Sequence, residues 1–325
     1  MGVTVTRLTA LLVVAASLAW AGPAGAAVKG ADVSHWQGTV DWLRVANAGY
    51  SFAFLKATEG PAIVDPTYPI NRADATTFGI RTGAYHFARP AGSGDAAIVA
   101  SAIAQADHYV TVAGLQPGDL PPALDLEATG GLAPAALTAW TQAWLDEVTA
   151  RTGAKAVVYF SPNFWKTRLA DTNTFAQQGY RVWIAHWKVA APAVPAANWG
   201  GTGWTFWQWT NCETIPGFLH CVDGDRFAGS DLSSVAVPSF PAAAPTVVAA
   251  PSIVGAPQAG KLAAAVPGSW NGGRPISFAY QWQSCDAAGG GCVPIPGATG
   301  ESYTPAAGDA GHALVVAVTA QNASG

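Results

Sequence analysis

Two acids one residue apart, Asp125 and Glu127, sit in the run Ala123-Leu124-Asp125-Leu126-Glu127, which is otherwise apolar and reads as a buried strand. Side chains at i and i+2 of a strand project to the same face, so the two carboxyls are expected to share one small volume. Carboxyls held that close perturb one another, one tending to keep its proton while the other ionises. Cleavage of a glycosidic bond requires that division of labour, a proton donor for the leaving oxygen beside a charged partner. An isolated Asp-x-Glu is more often a pair of acids at a strand end that cap a neighbouring helix, so the surrounding chain has to decide.

The elements that must position the pair begin after an N-terminal segment of another kind. Arg7 is the only charge before Lys29, residues 8–20 form an apolar stretch short for a bilayer, and Ala24-Gly25-Ala26 has the small-x-small form of a cleavage site. Residues 1–26 are therefore read as a secretory signal peptide, leaving a soluble exported chain with no membrane partner. From residue 28 to about 235, short β-type runs alternate with helical or loop segments. Eight strands are expected, at 28–33, 52–57, 81–87, 123–127, 156–160, 182–186, 205–209 and 222–223. Helices are expected at 41–48, 66–77, 95–113 and 134–152, after which Pro and Gly break the periodicity. The fold class is α/β. A catalytic domain over 27–235 is expected to be an irregular TIM-like β/α barrel, about five β/α units followed mostly by strands. Asp32, Glu127 and the Tyr85-His86 pair then fall at C-terminal strand ends, where such barrels carry their sites.

Residues 236–250 are Pro- and Ala-rich and read as a semi-extended linker. Residues 251–325 show alternating runs separated by Gly/Asn/Pro turns and no useful helix, which indicates a small all-β, immunoglobulin-like sandwich. It is short for such a domain and stops just after a strand, which leaves open that its last strand is missing.

Charged residues make up 11% of the chain, 50% is hydrophobic and there are 14 Trp, so a large core is expected. The net charge of -4, without a Lys/Arg block, points away from nucleic acid and anionic lipid and towards a weakly charged substrate. The four cysteines, Cys212, Cys221, Cys285 and Cys292, allow three connectivities; local pairing, 212 with 221 and 285 with 292, is the economical one. Neither pair has CxxC spacing or a suitably placed His, and no HExxH-type motif occurs, so no metal and no cofactor is expected.

Around the acid pair the chain supplies further acids and aromatics at strand ends. Gly30-Ala31-Asp32-Val33-Ser34-His35-Trp36-Gln37-Gly38 follows the first strand, Lys56-Ala57-Thr58-Glu59-Gly60 the second and Ala84-Tyr85-His86-Phe87 the third, and Val222-Asp223-Gly224-Asp225-Arg226-Phe227 forms the eighth. With Trp183-Ile184-Ala185-His186-Trp187 and Trp207-Gln208-Trp209-Thr210, these segments resemble, in order, the glycoside hydrolase family 25 muramidases, the Chalaropsis-type lysozymes. The tail, with Trp270, Trp282 and the Cys285 and Cys292 pair, resembles bacterial immunoglobulin-like repeats.

The first resemblance implies a secreted or wall-associated muramidase that cuts the β-1,4 bond between N-acetylmuramic acid and N-acetylglucosamine in peptidoglycan. Its partner is then the glycan strand, and a monomer is expected. The family's general acid matches Glu127, and its other active-site carboxylates match Asp125, Asp32 and Asp223. Glu127, walled by apolar neighbours, is expected to hold its proton while Asp125 ionises. The family is regarded as retaining, with the substrate's own N-acetyl group as nucleophile; Asp125 is the first choice to orient it and Asp223 the second.

Tyr85, His86, Trp36, Trp187 and Trp209 are candidates for sugar contacts, against core packing as the plain alternative. Lys56 and Glu59 are expected to form a structural ion pair, and Asp225 and Arg226 to point away from Asp223. Two other functions compete: a chitinase or endo-glucosaminidase on a similar barrel, and a non-catalytic wall-binding protein. The chitinase DxxDxDxE pattern is absent, and all four carboxylates are present.

Overall fold

The structure, a computed structural model, describes residues 27–240, 242–255 and 258–325; the expected signal peptide lies outside them. In chain order the first strands are β1 (Val28–Val33), β2 (Tyr50–Glu59), β3 (Ile63–Val64), β4 (Arg81–Phe87), β5 (Ala123–Asp125), β6 (Val157–Phe160), β7 (Arg181–Ala185), β8 (Phe206–Glu213) and β9 (Val222–Phe227). All but β3 close into an eight-stranded ring, β1-β2-β4-β5-β6-β7-β8-β9, with β9 returning to β1. The junctions from β1 through β8 are parallel, whereas β9 runs antiparallel to both β8 and β1. A parallel return needs a crossover of roughly a dozen residues or more. The short connection from Glu213 to Val222, closed by the Cys212–Cys221 disulfide with Cα atoms 4.7 Å apart, allows only a hairpin.

The helices are α1 (Trp42–Asn47), α2 (Tyr68–Thr77), α3 (Asp95–Ala113), α4 (Pro134–Thr152), α5 (Pro162–Arg168) and α6 (Thr174–Gln177). The two long ones have the expected bounds. In α3 the buried positions Ala96, Val99, Ile103, Ala106 and Val110 recur at the three- and four-residue spacing of one helix face. In α4, Pro134 opens the first turn and Trp140 and Trp144 are fully buried. Beyond β6 the helical content is thin but present: α5 and α6 have 7 and 4 residues. Ser161 caps α5 by accepting from Phe164 N at 3.3 Å, so a polar cap starts a helix too short to show a period.

Alternation along the strands builds two apolar layers. Phe52, Phe54, Tyr85, Val157, Tyr159, Trp183, Phe206 and Phe227 cluster inside the ring, while Ala53, Leu55, Ala84, Val158, Val182, Ile184 and Trp207 pack outward against the helices. Gly30 on β1 leaves room for Phe52: a Cβ there would lie 2.3 Å from the ring. The interior is therefore filled up to the level of the acids.

The chain after the ring forms small antiparallel sheets from β10 (Thr246–Ala249), β11 (Ser252–Val254), β12 (Ala263–Val266), β13 (Ser269–Asn271), β14 (Ser277–Cys285), β15 (Val293–Pro294), β16 (Ser302–Tyr303) and β17 (Ala313–Gln321). Trp282 is wholly buried among Ala263, Ala265, Tyr280 and Ala298, and its indole donates to Gly300 O at 2.9 Å, a core residue rather than a ligand platform. These sheets rest on the outside of the ring. Ala96, Val99 and Ile103 of α3 pack with Ala264, Val254, Leu262 and Val266, and Phe240 lies against Gly153. The stretch read as a spacer is thus held to the barrel, with Val237 N also donating to Asp119 O at 2.8 Å.

The loop after β5 carries Glu127 and turns back at Gly130, which has φ +57. A Cβ at that position would lie 1.6 Å from Pro90 O. Gly130→Ala should therefore destabilise the protein by about 2 kcal/mol or more, through both the left-handed backbone and the clash. Thermal unfolding checks it, with an expected fall of roughly 4 °C or more; an unchanged midpoint would show that the loop relaxes freely.

Candidate active site

Period-two alternation brings acids from three strands to one end of the ring. Asp32 is the last residue but one of β1, in register with Asp223 of β9, and Asp125 ends β5 just before Glu127. In the closed ring β5 stands across the interior from β1 and β9. The result is a cleft of about 190 Å³ with two acids on each wall, lined by Asp32, Ser34, Trp36, Gln37, Lys56, Tyr85, Phe87, Asp125, Glu127, Tyr159, Trp183, Gln208 and Asp223. A second polar groove of about 450 Å³ runs on from Glu127 past Ser161, Asn163, Thr167 and Arg168. Glu127 therefore stands at the boundary between the cleft and the groove.

Burial sets the electrostatics. Asp125 is 6% exposed, and desolvation, followed by the charge of Glu127, pushes its carboxyl well above the ordinary range, with Lys56 opposing. Its Oδ1 is buried without an N–H donor among the described residues. Glu127 lies exposed at the mouth and is raised too, by the desolvation of its carboxyl, while its hydrogen bond to Asp125 opposes the rise. The two carboxyls thus perturb one another, and the deeper burial falls on Asp125. The strand carries Asp125 into the ring, while the chain leaves the sheet before Glu127.

On the opposite wall, desolvation and then the Glu127 charge push Asp223 up to about 6. Asp32, 7% exposed, rises further for the same first reason, with Asp225 and Asp223 adding repulsion.

A polar bracket fixes Asp32. Gln208 Nε2 donates to Asp32 Oδ2 at 2.8 Å, while Gln208 Oε1 accepts from Tyr159 Oη at 2.9 Å and from Trp187 Nε1 at 2.8 Å. Lys56 Nζ lies 2.5 Å from Glu59, which also holds Arg89 at 2.6 Å, so the expected Lys56–Glu59 pair is present and extends to a third residue. Trp36 stands 79% exposed on the lip, positioned by the Ser34–Gln37 capping box. It is a flat apolar face open to a sugar ring.

Several expectations are corrected. His86 is wholly buried behind the wall, stacked on Trp144 with centroids 5.7 Å apart and bonded to Thr58 Oγ1 at 2.8 Å and Gln105 Oε1 at 3.1 Å. Burial pushes it down to about 3, so it stays neutral, and it does not line the cleft. Tyr85, its neighbour, does face the cleft, because adjacent strand residues alternate. Trp209 is off the cleft for the same reason: Gln208 takes the inward position, and Trp209 packs outside with the Arg226 guanidinium 4.4 Å from its ring centroid. Trp187 reaches the site through Gln208 and is 42% exposed. Asp225 does not point away from Asp223: two residues on, it faces the interior one layer down, and only Arg226 turns out.

Gln208, Tyr159 and Trp183 were missed at the sequence level. The signal was there, since Tyr159 is in register with Asp125 and Gln208 alternates with two tryptophans. Both cysteine pairs form the expected local disulfides.

The sequence profile of the glycosyl hydrolases family 25 matches residues 31–218, which takes in Asp32, Asp125 and Glu127 and ends before Asp223. The chain is 38% identical over 219 residues to Lysozyme M1 of Streptomyces globisporus, covering 64% of this chain and 71% of that one. It is 31% identical over 210 residues to the N,O-diacetylmuramidase of Chalaropsis sp, covering 61% of this chain and 94% of the relative. Among solved structures, the bacterial lysozyme from Streptomyces coelicolor superposes with a TM-score of 0.59 at 35% identity, over 65% of this chain and 98% of that one.

Proposed function

Because this chain belongs to the glycosyl hydrolases family 25, we propose that it hydrolyses the β-1,4 bond between N-acetylmuramic acid and N-acetylglucosamine in peptidoglycan, with Glu127 as general acid and base. It is a glycoside hydrolase. The observation that carries the finer reading is the four-carboxyl mouth, with the acids of β1 and β9 facing those of the β5 end and Glu127 next to an open groove for the leaving sugar.

In that geometry the sugar that becomes the new reducing end lies between the walls. Glu127 gives its proton to the glycosidic oxygen as the C1–O bond breaks. Asp125, one layer deeper on the same wall, accepts from the N–H of the substrate's acetamido group, whose carbonyl oxygen attacks C1. Asp32 and Asp223, opposite, place negative charge where the ring becomes cationic. Water then opens the cyclic intermediate as Glu127 takes its proton back, and configuration is retained. Asp125 is preferred over Asp223 as the orienter because it shares a strand end with Glu127.

The tandem of a barrel over 27–235 and an immunoglobulin-like module over 251–325, joined by a linker over 236–250, suits a secreted, wall-associated enzyme, and the two disulfides suit an oxidising compartment. Digestion of purified peptidoglycan tests the reading. New muramic acid reducing ends are expected; glucosamine ends would replace it with an endo-glucosaminidase, and no new ends with a wall-binding protein.

A further inference from the structure

Asp225 has no part in the mechanism above, yet it is 1% exposed in the layer of the barrel interior directly beneath the catalytic carboxyls. Its Oδ1 accepts from Trp183 Nε1 at 2.7 Å, and its Oδ2 is buried with no N–H donor among the described residues. The carboxyl comes within hydrogen-bonding reach of Asp32. The charges that act most on the two are acidic: Asp223 of β9 bears on both and Glu213 of β8, on the outer face beside Gly224 and Tyr50, bears on Asp225, while Trp183 of β7 and Gln208 of β8 supply neutral donors. The cations on β9 and β2 are engaged elsewhere, Arg226 outside against Trp209 and Lys56 with Glu59.

Two carboxylates cannot both be charged at such an approach in a dry layer without a cation. We propose that Asp225 is a positioning residue that holds one proton in common with Asp32, so that Asp32 is pinned between Asp225 and Gln208 and presents a single fixed acceptor edge to the sugar. The proposal rests on the reading of Asp32 as a substrate-facing carboxylate.

The geometry explains why an acid of this depth is tolerated. With the proton in place the pair carries one charge, and Trp183 and Gln208 each satisfy one oxygen. Burial, followed by the Asp223 charge, holds Asp225 up at about 8, while its hydrogen bonds with Trp183 and Asp32 oppose the rise. Loss of the shared proton leaves two adjacent anions and frees Asp32 to move, so activity should fall on the alkaline side as pH passes that region. Stability follows the same sign. The folded state keeps a proton that the unfolded chain releases near pH 4, so stability declines as pH rises from there towards 8.

The test compares Asp225→Asn and Asp225→Leu with the parent full-length chain. An Asn amide can accept from Trp183 and donate to Asp32, but it cannot titrate. In D225N, kcat on peptidoglycan should fall only several-fold near pH 6, with KM within about two-fold, and the alkaline limb should move up by about one pH unit or more. In D225L the donor to Asp32 is gone, and kcat should drop by about 10²-fold. Carbon-13 NMR of aspartate-labelled protein, which needs no substrate, should show a carboxyl titrating above neutrality in the parent and absent from D225N. If D225N keeps both the parent alkaline limb and that titration, the shared proton is refuted. If a folded D225L performs as well as D225N, the positioning role is refuted, and if D225L does not fold, D225N and the NMR titration decide. A chain that cleaves no peptidoglycan would overturn the proposed function but leave the NMR result to stand or fall by itself.

Discussion

Replacing Glu127 by Gln is expected to lower kcat on purified peptidoglycan by about 10³-fold, a loss of about 4 kcal/mol of transition-state stabilisation, with the melting temperature little changed. The side chain stands exposed at the mouth, outside both apolar layers, and the only side-chain hydrogen bond that moves its pKa is to Asp125, which the Gln amide can still make. Stability therefore has little to lose. Chemistry has much: an amide cannot give up a proton to the departing oxygen, nor take one from the water that follows. A synthetic glycoside whose leaving group is already a stable anion needs no such proton, so the defect should shrink on it by at least ten-fold. Turnover of peptidoglycan close to the parent rate would remove Glu127 from the role. An equal defect on both substrates would move it from proton transfer to binding.

Asp125→Asn is the second large effect, an expected loss of about 10²- to 10³-fold in kcat with KM within a few-fold. Asparagine keeps the size and one acceptor of Asp125 but not the charge. In the proposed route that charge matters only once the acetamido oxygen has bonded to C1 and the nitrogen has become cationic, so the loss falls on the transition state. Asp125 is 6% exposed, where water screens little and a fixed carboxylate acts strongly. Because Asp125 and Glu127 act on one another and serve one reaction, the D125N/E127Q double variant should be impaired by less than the product of the two single defects. A D125N enzyme with a large rise in KM and an intact kcat would make Asp125 a ground-state contact instead. The assignment would then pass to Asp223.

Much of this site can be read from the order of residues because strand alternation is a local rule. It pairs Asp125 with Glu127 and puts Tyr85 in the cleft, whereas Lys56 and Glu59, three residues apart, meet because the ladder of β2 slips between Lys56 and Thr58. The errors come from applying the rule unevenly. Tyr85 and His86 cannot both face a ligand from one strand, and the same alternation sends Trp209 outward once Gln208 is inward. Asp223 and Asp225 stand in the i, i+2 relation that made Asp125 and Glu127 conspicuous, yet Asp225 was assigned to the far side. The short helices α5 and α6 escape for another reason, since neither is long enough to show a period and only a cap such as Ser161 marks the start.

By itself, then, the sequence determined the alternating faces of the strands, the bounds of the two long helices, the local pairing of the cysteines and the nearness of Asp125 to Glu127, since each depends on residues close together in the chain. Tertiary structure alone decided that β9 returns antiparallel to close the ring and sets Asp223 and Asp225 against Asp32. It also decided that Asp125, rather than Glu127, is the deeper of its pair. Those are long-range facts, because which carboxyl keeps a proton depends on how much water and countercharge the closed barrel leaves around it, and no segment of chain carries that by itself.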